Sequence, residues 1–565
     1  VQRDGQGDWT ARDRTPGSKP RVLIIGAGVA GMSTGCYAQM SGMNSRILEK
    51  HVLPGGCCTA WSRQGYVFDY CIEWLFGTAP GNEANQVWRE LGALDGKTIR
   101  NFEVFNRVVD EHGRSVSFYN DPERLEQHLL KTAPADARLI RSFCRDLRRF
   151  TTLDLHPFLK PPRLETVREK IIKLRKILPA FRLFWRTGAT PMNTFIDRFT
   201  DPFLRRALRN ILMQDPGNFA MIPYLYTLAG AYNNNAGFPQ GGSLGLARSI
   251  EERYTSLGGD ISYRARVAKI LVEDGRAIGV QLKNGTRYYA DHVVAACDGY
   301  TTVNRLLGGE YTSPAIDKLY NEVANDREQL YPAVVSAFVG VDGDLDPTEP
   351  HSTTYLLSDA EAARLPGVLQ KSIVVQLRSR FADDLAPSGK SLIHCTYFSD
   401  FDYWKSLRTG NRREYWARKR EVAEFIRYFL AERYPGLGER IELVDIGTPV
   451  TNERYTGNFK GAILAWKSPQ ADDLMTKLVN RDRMRLPGLR GFSMAGHWVG
   501  GGGLIRAAST GRFVIQYLCR ELGLPFRAWE SDNDEPWHPG KLGHLPQLEK
   551  WSVQHVAARR PERRD

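Results

Sequence analysis

The sequence predicts an α/β fold in which a parallel-sheet domain is interrupted by an inserted α+β domain. Three observations predict it. A buried-strand pattern at 21–25 runs straight into a glycine-spaced turn and a small-residue helix. A second glycine-rich turn and helix stand near the far end, at 496–522. Between them lie strand and helix patterns that belong to neither, in a chain of 565 residues that exceeds one simple domain.

The first element, Arg21-Val22-Leu23-Ile24-Ile25, is apolar enough for a strand buried on both faces. Gly26-Ala27-Gly28-Val29-Ala30-Gly31 comes at once after it, then a helix running towards Gly42. This is the strand, turn and helix of a Rossmann unit, which binds a dinucleotide. Gly26 permits the tight turn, Gly28 lets a pyrophosphate approach the backbone, and Gly31 lets helix pack closely on strand. Ala27 and Ala30 share that cradle, where the helix start offers N–H groups and the positive end of its dipole. The next strand, 45–49, ends in Glu49, 18 residues beyond Gly31, placed to accept hydrogen bonds from ribose hydroxyls. By itself this fingerprint does not separate NAD from FAD.

The next forty residues narrow the choice. After Glu49 and Lys50 come Gly55-Gly56-Cys57-Cys58, then Gly65-Tyr66-Val67-Phe68-Asp69. With these residues the chain resembles the phytoene desaturase, carotenoid isomerase and retinol saturase branch of the flavin amine-oxidoreductase superfamily. The vicinal Cys57-Cys58 is most similar to the retinol saturase side. The resemblance implies FAD as cofactor, with Glu49, Lys50, Gly55, Gly56 and Cys57 around its ADP half, and it recurs in order. Phe238 to Ser243 is similar to the family's aromatic-Pro-x-Gly-Gly element, after which Val267 falls where a valine backbone meets adenine. Gly488 to His497 leads into Gly500-Gly501-Gly502-Gly503-Leu504, where Gly496, His497, Gly501, Gly502, Gly503 and Leu504 are expected against the ribityl and pyrophosphate region. Related oxidases often carry Arg where Cys57 stands and an acid where His497 stands, so this sequence departs from the pattern at both.

The expected organisation is a flexible lead-in at 1–20; a discontinuous FAD-binding domain at 21–120, 234–309 and 441–525; a substrate domain at 121–233 and 310–440; and a tail at 526–565. Within these, Tyr331 to Val341 reads as a buried strand. The pair 278–282 and 289–295 reads as a hairpin about Asn284-Gly285, and Arg412 to Tyr434 as a charged amphipathic helix. Between Arg168 and Arg186, seven basic residues interleave with Ile, Leu, Phe and Trp around a break at Pro179. Two readings fit that segment: a packed helix with a solvated basic face, and a helix lying on a membrane.

Lys and Arg outnumber Asp and Glu by 77 to 64, a formal charge of +13, which favours anionic surfaces. Nucleic acid is the poorest of these, since no recognised binding module accompanies the charge. No stretch reaches the roughly 18 to 20 apolar residues of a membrane span, and the start lacks the apolar core of a signal peptide. The eight cysteines show no CxxC spacing, so no zinc or other metal site is expected. A cytoplasmic, membrane-peripheral location is the expectation, and the oligomeric state is left open.

The branch implies hydride transfer at a carbon–carbon bond of an apolar, polyene or isoprenoid-like substrate, with desaturation, saturation and flavin-assisted isomerisation equally open. Candidate catalytic groups are Glu73, just beyond Asp69 to Cys71, His497 in the glycine-rich loop, and Arg454 and Tyr455. Two other readings remain: a flavin amine or amino-acid oxidase, and a flavin-bound escort or regulatory protein without turnover.

Overall fold

The computed structural model describes residues 9–12, 17–153, 158–212, 220–326, 329–467 and 483–528. Its parallel sheet has five strands in the order Asp260–Ser262, Asn44–Leu48, Arg21–Ile25, His292–Ala295 and Phe492–Met494. Every pairing in it is parallel. Parallel strands need helices on both faces, which is why Val22, Ile24, Val293 and Val294 are all fully buried. On one side the helix Val29–Met40 packs against Leu504–Leu522, and Ser33 Oγ donates to the Ala508 carbonyl at 2.7 Å. Segments almost 500 residues apart thus share one wall.

The second sheet has seven strands: Ile441–Gly447, Ala333–Asp342, Lys390–Ser399, Ser372–Leu377, Ser352–Leu356, Val104–Val109 and Ser115–Tyr119. Neighbours are antiparallel except Ser352–Leu356 beside Val104–Val109. The two strands between 104 and 119, and Ile441–Gly447, fall in segments that the sequence reading gives to the FAD domain, yet they complete this sheet. Their short alternating patterns say how they fold and nothing about which sheet they join. One face of the sheet is apolar and lies under Trp404 and the helix Arg412–Arg433. The edge strands at 104–119 carry a separate helical core built on Pro122–Thr132, Ala137–Phe150, Pro202–Arg209 and Met221–Tyr232. Asp121 and Asp201 start two of these helices by accepting backbone N–H bonds, each with Pro at the next position.

Arg276–Leu282 and Arg287–Tyr289 form the expected hairpin. Beyond Tyr289 the chain leaves it and enters the parallel sheet as His292–Ala295. The basic segment is two helices, Val167–Ile177 and Phe181–Ala189, joined by the tight turn Leu178–Ala180. Within the lead-in 1–20, Trp9 departs from the expectation of flexibility. It is buried, Arg21 and Arg46 lie over its ring, and its carbonyl accepts from Tyr289 N at 2.8 Å. Trp529, Trp537 and Trp551 of the tail lie outside the described residues. Among the described residues no helix is long and apolar enough to cross a membrane, and no cluster of side chains could hold a metal ion.

Candidate cofactor and substrate site

Two uncapped helix starts meet at the top of the parallel sheet. The helices beginning after Gly28 and Gly503 have no side-chain cap, whereas Asn82, Asp121, Thr166 and Asp201 cap others in this chain. Uncapped N–H groups here need another partner, and an anion is the natural one. A methyl on Gly31 would stand 1.9 Å from the Gly26 oxygen, so only glycine lets the helix lie this close to the turn. Gly28 is different: a Cβ there would meet only the Gly55 oxygen, at 3.9 Å, and a Cβ on Gly503 would meet nothing within 4 Å. Gly503 opens onto free space at its own helix start, and Gly28 faces open space that suits the pyrophosphate of FAD.

The neighbouring loops close around it. Gly55 N donates to the Ala27 carbonyl at 2.8 Å, and Gly56 lies against Gly28. A Cβ on Gly496 would stand 3.7 Å from that of Ala30, which brings the late glycine loop onto the early one. Glu49 is buried at the end of its strand and accepts from Ala27 N and His51 N, both at 2.7 Å. Desolvation raises its pKa, and the two N–H groups oppose that. Val267 opens a strand just after Ala265, whose N–H bonds the Glu49 carbonyl. Lys50 Nζ donates to the Arg454 carbonyl at 3.3 Å, and Tyr455 packs edge-on against His51. Arg454 and Tyr455 therefore sit beside Lys50 and His51, next to Glu49 in the chain, and the structure does not bring them to Glu73.

Glu73 is positioned by a chain of buried contacts. A Cβ on Gly242 would overlap Asp69 Oδ2 at 2.2 Å, so glycine there admits the carboxylate. Asp69 then accepts from Ser243 N at 2.6 Å and Ser243 Oγ at 2.7 Å, capping the helix Gly242–Ser256 from outside. Ser243 Oγ in turn accepts from Ile72 N, one residue before Glu73. The fully buried Arg378 donates to the Ile72 carbonyl at 2.6 Å and faces both carboxyls. Desolvation raises the pKa of Glu73, against the charge of Arg378 and a hydrogen bond from Gln376. A narrow cleft opens beside it, with Trp74, Phe102, Phe105 and Phe381 among its walls.

His497 starts the short turn His497–Gly500 and is desolvated, which lowers its pKa to about 4 and leaves it neutral at pH 7. Gly501 N bonds its carbonyl, and Gly502 lies against Leu464. Cys57 accepts from Asn458 Nδ2 at 3.0 Å, and Asn458 Oδ1 faces Trp498 Nε1 at 3.4 Å. Sequence reasoning does not single out Asp69, Ser243, Arg378 or Asn458. Asp69 and Ser243 lie inside motifs legible in the sequence; Arg378 and Asn458 carry no local signal at all.

Comparison with known proteins agrees with this geometry. The model of the flavin containing amine oxidoreductases matches residues 29–424. The chloroplastic prolycopene isomerase of Arabidopsis thaliana is 24% identical, over 78% of this chain and 73% of that protein. An all-trans-retinol 13,14-reductase of Danio rerio is 25% identical, over 78% of this chain and 77% of that protein. Among solved structures, a putrescine oxidase superposes with a TM-score of 0.56 at 12% identity, covering 89% of this chain and 99% of that one, a likeness of fold. The chain belongs to the flavin containing amine oxidoreductase family and is an FAD-dependent oxidoreductase.

Proposed function

We propose that this enzyme moves hydride to or from a carbon–carbon unit of an apolar polyene bound in the cavity beside Glu73. The observation that carries the reading is that cavity itself: aromatic walls around one carboxyl whose pKa burial has raised. Its aromatic walls suit a ligand held by apolar contact, at about 0.8 kcal/mol per buried CH₂. The named substrates of the two curated relatives, prolycopene and retinol, are both polyenes. Bound FAD supplies the two-electron hydride exchange. Glu73 holds its proton to higher pH than an ordinary carboxyl and is the group placed to give or take one, while Arg378 limits how far that shift goes. His497, neutral at pH 7, offers a hydrogen bond without a charge.

The test is anaerobic incubation of the flavin-loaded protein with polyenes and, separately, with amines, tracking the visible absorbance of the flavin. Polyenes should reoxidise the reduced form or reduce the oxidised one, or be isomerised by the reduced form; amines should do none of these. Flavin reduction by amines alone would sink the reading.

A membrane surface is the proposed source of so apolar a substrate. Leu174, Leu178, Phe181 and Trp185 are 53–64% exposed along the helix pair, with the exposed Arg168, Lys170, Arg175 and Arg182 among them. Arg186 is committed to the buried Asp146 at 2.6 Å. Each remaining basic residue adds about 1 kcal/mol of attraction to an anionic leaflet, and the apolar side chains add burial. The eight free thiols suit a reducing compartment, so the proposed place is the cytoplasmic face of a membrane.

A further inference from the structure

Two carboxyls and one guanidinium meet behind the cleft, and in their ionised forms they do not balance. Asp69 and Arg378 are buried, and Glu73 lines the cleft beside them. Arg378 makes its hydrogen bonds elsewhere, to the Ile72 carbonyl at 2.6 Å and to His394 Nδ1 at 3.3 Å, so it acts on both carboxyls through its charge. The thiol of Cys71 faces Arg378 as well. Around them the histidines and the nearest tyrosine stay neutral at pH 7. Burial lowers the pKa of His351 to about 3 and that of His394 well below its usual value, and it raises that of Tyr331, which faces Glu73. Arg380, beyond His351, donates to the Glu349 carbonyl at 2.8 Å. The sheet strands behind add uncharged groups, with Ser336 opposite Thr396 and Gln376 opposite His394.

The two carboxyls are not equivalent. Asp69 stands at the N-terminus of the helix Gly242–Ser256, where the dipole favours an anion. It accepts from Ser243 N at 2.6 Å and from Ser243 Oγ at 2.7 Å. Ile72 N donates to that same Oγ at 2.9 Å, which leaves the hydroxyl hydrogen for Asp69. The partners of Asp69 are therefore donors, the surroundings of an ionised carboxylate. Arg378 feels the charge of Asp69 most and that of Glu73 second. Glu73 has no helix terminus and one side-chain donor, the amide of Gln376. With Asp69 and Arg378 balancing each other, a charge on Glu73 would stand uncompensated.

Gln376 lines the cleft, and its Oε1 is buried with no hydrogen-bond partner among the described residues. A buried polar atom left unpaired costs about 1–3 kcal/mol. An ionised carboxylate only accepts, so it can take the amide N–H and nothing more. A protonated carboxyl takes the N–H and also offers its own O–H to the amide oxygen. One proton on Glu73 thus balances the charges and fills the open atom.

We propose that Asp69 is a positioning residue: by pairing with the charge of Arg378 it leaves Glu73 facing the cleft as a neutral acid, its proton held on Gln376 Oε1. The proposal rests on the reading of Glu73 as the group of the cleft that gives or takes a proton. It is tested by infrared difference spectra of the flavin-loaded protein without substrate, parent minus Glu73→Gln, which isolate the Glu73 carboxyl. At pH 7 the difference should show the C=O stretch of a protonated carboxyl, shifted in D₂O, with a titration midpoint above the ordinary 4.5. In an Asp69→Asn background Arg378 is left to Glu73, so the midpoint should fall by about 1–3 pH units. Asp69→Ser, which also keeps a capping oxygen, repeats the measurement if the asparagine variant does not fold. Gln376→Met should move the band to the higher frequency of a carboxyl without a hydrogen bond. A carboxylate signal in the parent at pH 7 would overturn the proposal, and so would an unmoved midpoint in a folded Asp69 variant, the outcome of a purely structural cap. If neither variant folds, Gln376→Met decides: an unmoved band overturns the proposal and a shifted one supports it. No polyene enters these spectra, so a failure here leaves the polyene reading standing, and a flavin that polyenes neither reduce nor oxidise leaves the protonation of Glu73 standing.

Discussion

Gly28 and Gly31 stand three residues apart in one turn, and the structure predicts opposite consequences for adding a methyl to each. At Gly31 the new Cβ lies 1.9 Å from the Gly26 oxygen and 3.1 Å from its carbon. Both are backbone atoms, so no rotamer relieves the overlap. The helix must retreat by at least about 1.1 Å before the contact reaches 3.0 Å. Such overpacking costs about 1–3 kcal/mol of stability, and the N–H groups at the helix start retreat with it. At Gly28 the backbone is extended, with φ −70° and ψ 171°, and the nearest atom to a Cβ is 3.9 Å away. Gly28→Ala should therefore leave apoprotein stability within about 0.5 kcal/mol of the parent. Its methyl occupies the open side of the cradle, however, and forfeits at least one hydrogen bond to a charged ligand, about 1.5–3 kcal/mol, or about 10- to 100-fold in Kd for FAD. Urea unfolding of the apoproteins and reconstitution with FAD, read by quenching of flavin fluorescence, separate the two effects. Gly28→Ala protein that binds FAD as tightly as the parent, or Gly31→Ala protein as stable as the parent, would refute the reasoning.

Other expectations come from buried charge and exposed apolar surface. Glu90 is wholly buried and holds Arg512 Nε at 2.8 Å, Arg512 Nη2 at 3.1 Å and Tyr37 Oη at 2.5 Å, so Glu90→Gln leaves a buried guanidinium uncompensated. A loss of about 3–5 kcal/mol in urea unfolding is expected, and a loss below about 1 kcal/mol would count against a true ion pair. Burial raises the pKa of Asp298 to about 6, although Thr301 N and Phe459 N donate to it. A raised acid stabilises the fold fully below its unfolded pKa near 3.8, and that contribution is lost as pH rises through about 6. Relative to Asp298→Asn, the parent should gain about 2.4 kcal/mol as pH falls from about 7 to about 4, read as a divergence of melting temperatures. Parallel curves would show that Asp298 titrates normally. Phe181→Glu with Trp185→Glu should lower binding to anionic vesicles by at least about 10-fold, since each aromatic contributes about 1.5–3 kcal/mol when buried. Unchanged cosedimentation would remove this helix pair from the membrane contact.

The parts of the candidate site legible in the sequence are those whose partners are close along the chain. A strand, a turn with glycine at fixed spacing and a small-residue helix form one local unit, so Gly26, Gly28, Gly31 and Glu49 carry their own explanation. Arg454 and Tyr455, more than 380 residues beyond Glu73 in the sequence, flank Lys50 and His51 in space. The assignment of Val104–Val109, Ser115–Tyr119 and Ile441–Gly447 fails for the same cause, because period-two alternation marks a strand and is silent about its partner.

By itself, then, the amino-acid sequence determined the nucleotide-binding turn, the second glycine-rich helix start, the hairpin about Gly285 and the family resemblance that implied FAD. Only the tertiary structure decided how Asp69 meets Ser243 and Arg378, and how Ser336, Gln376, His394 and Thr396 come to share one buried patch. The physical reason is sequence separation. Those contacts join strands and loops from 18 to more than 300 residues apart, or depend on which face of a strand is turned inwards, and no local spacing encodes either.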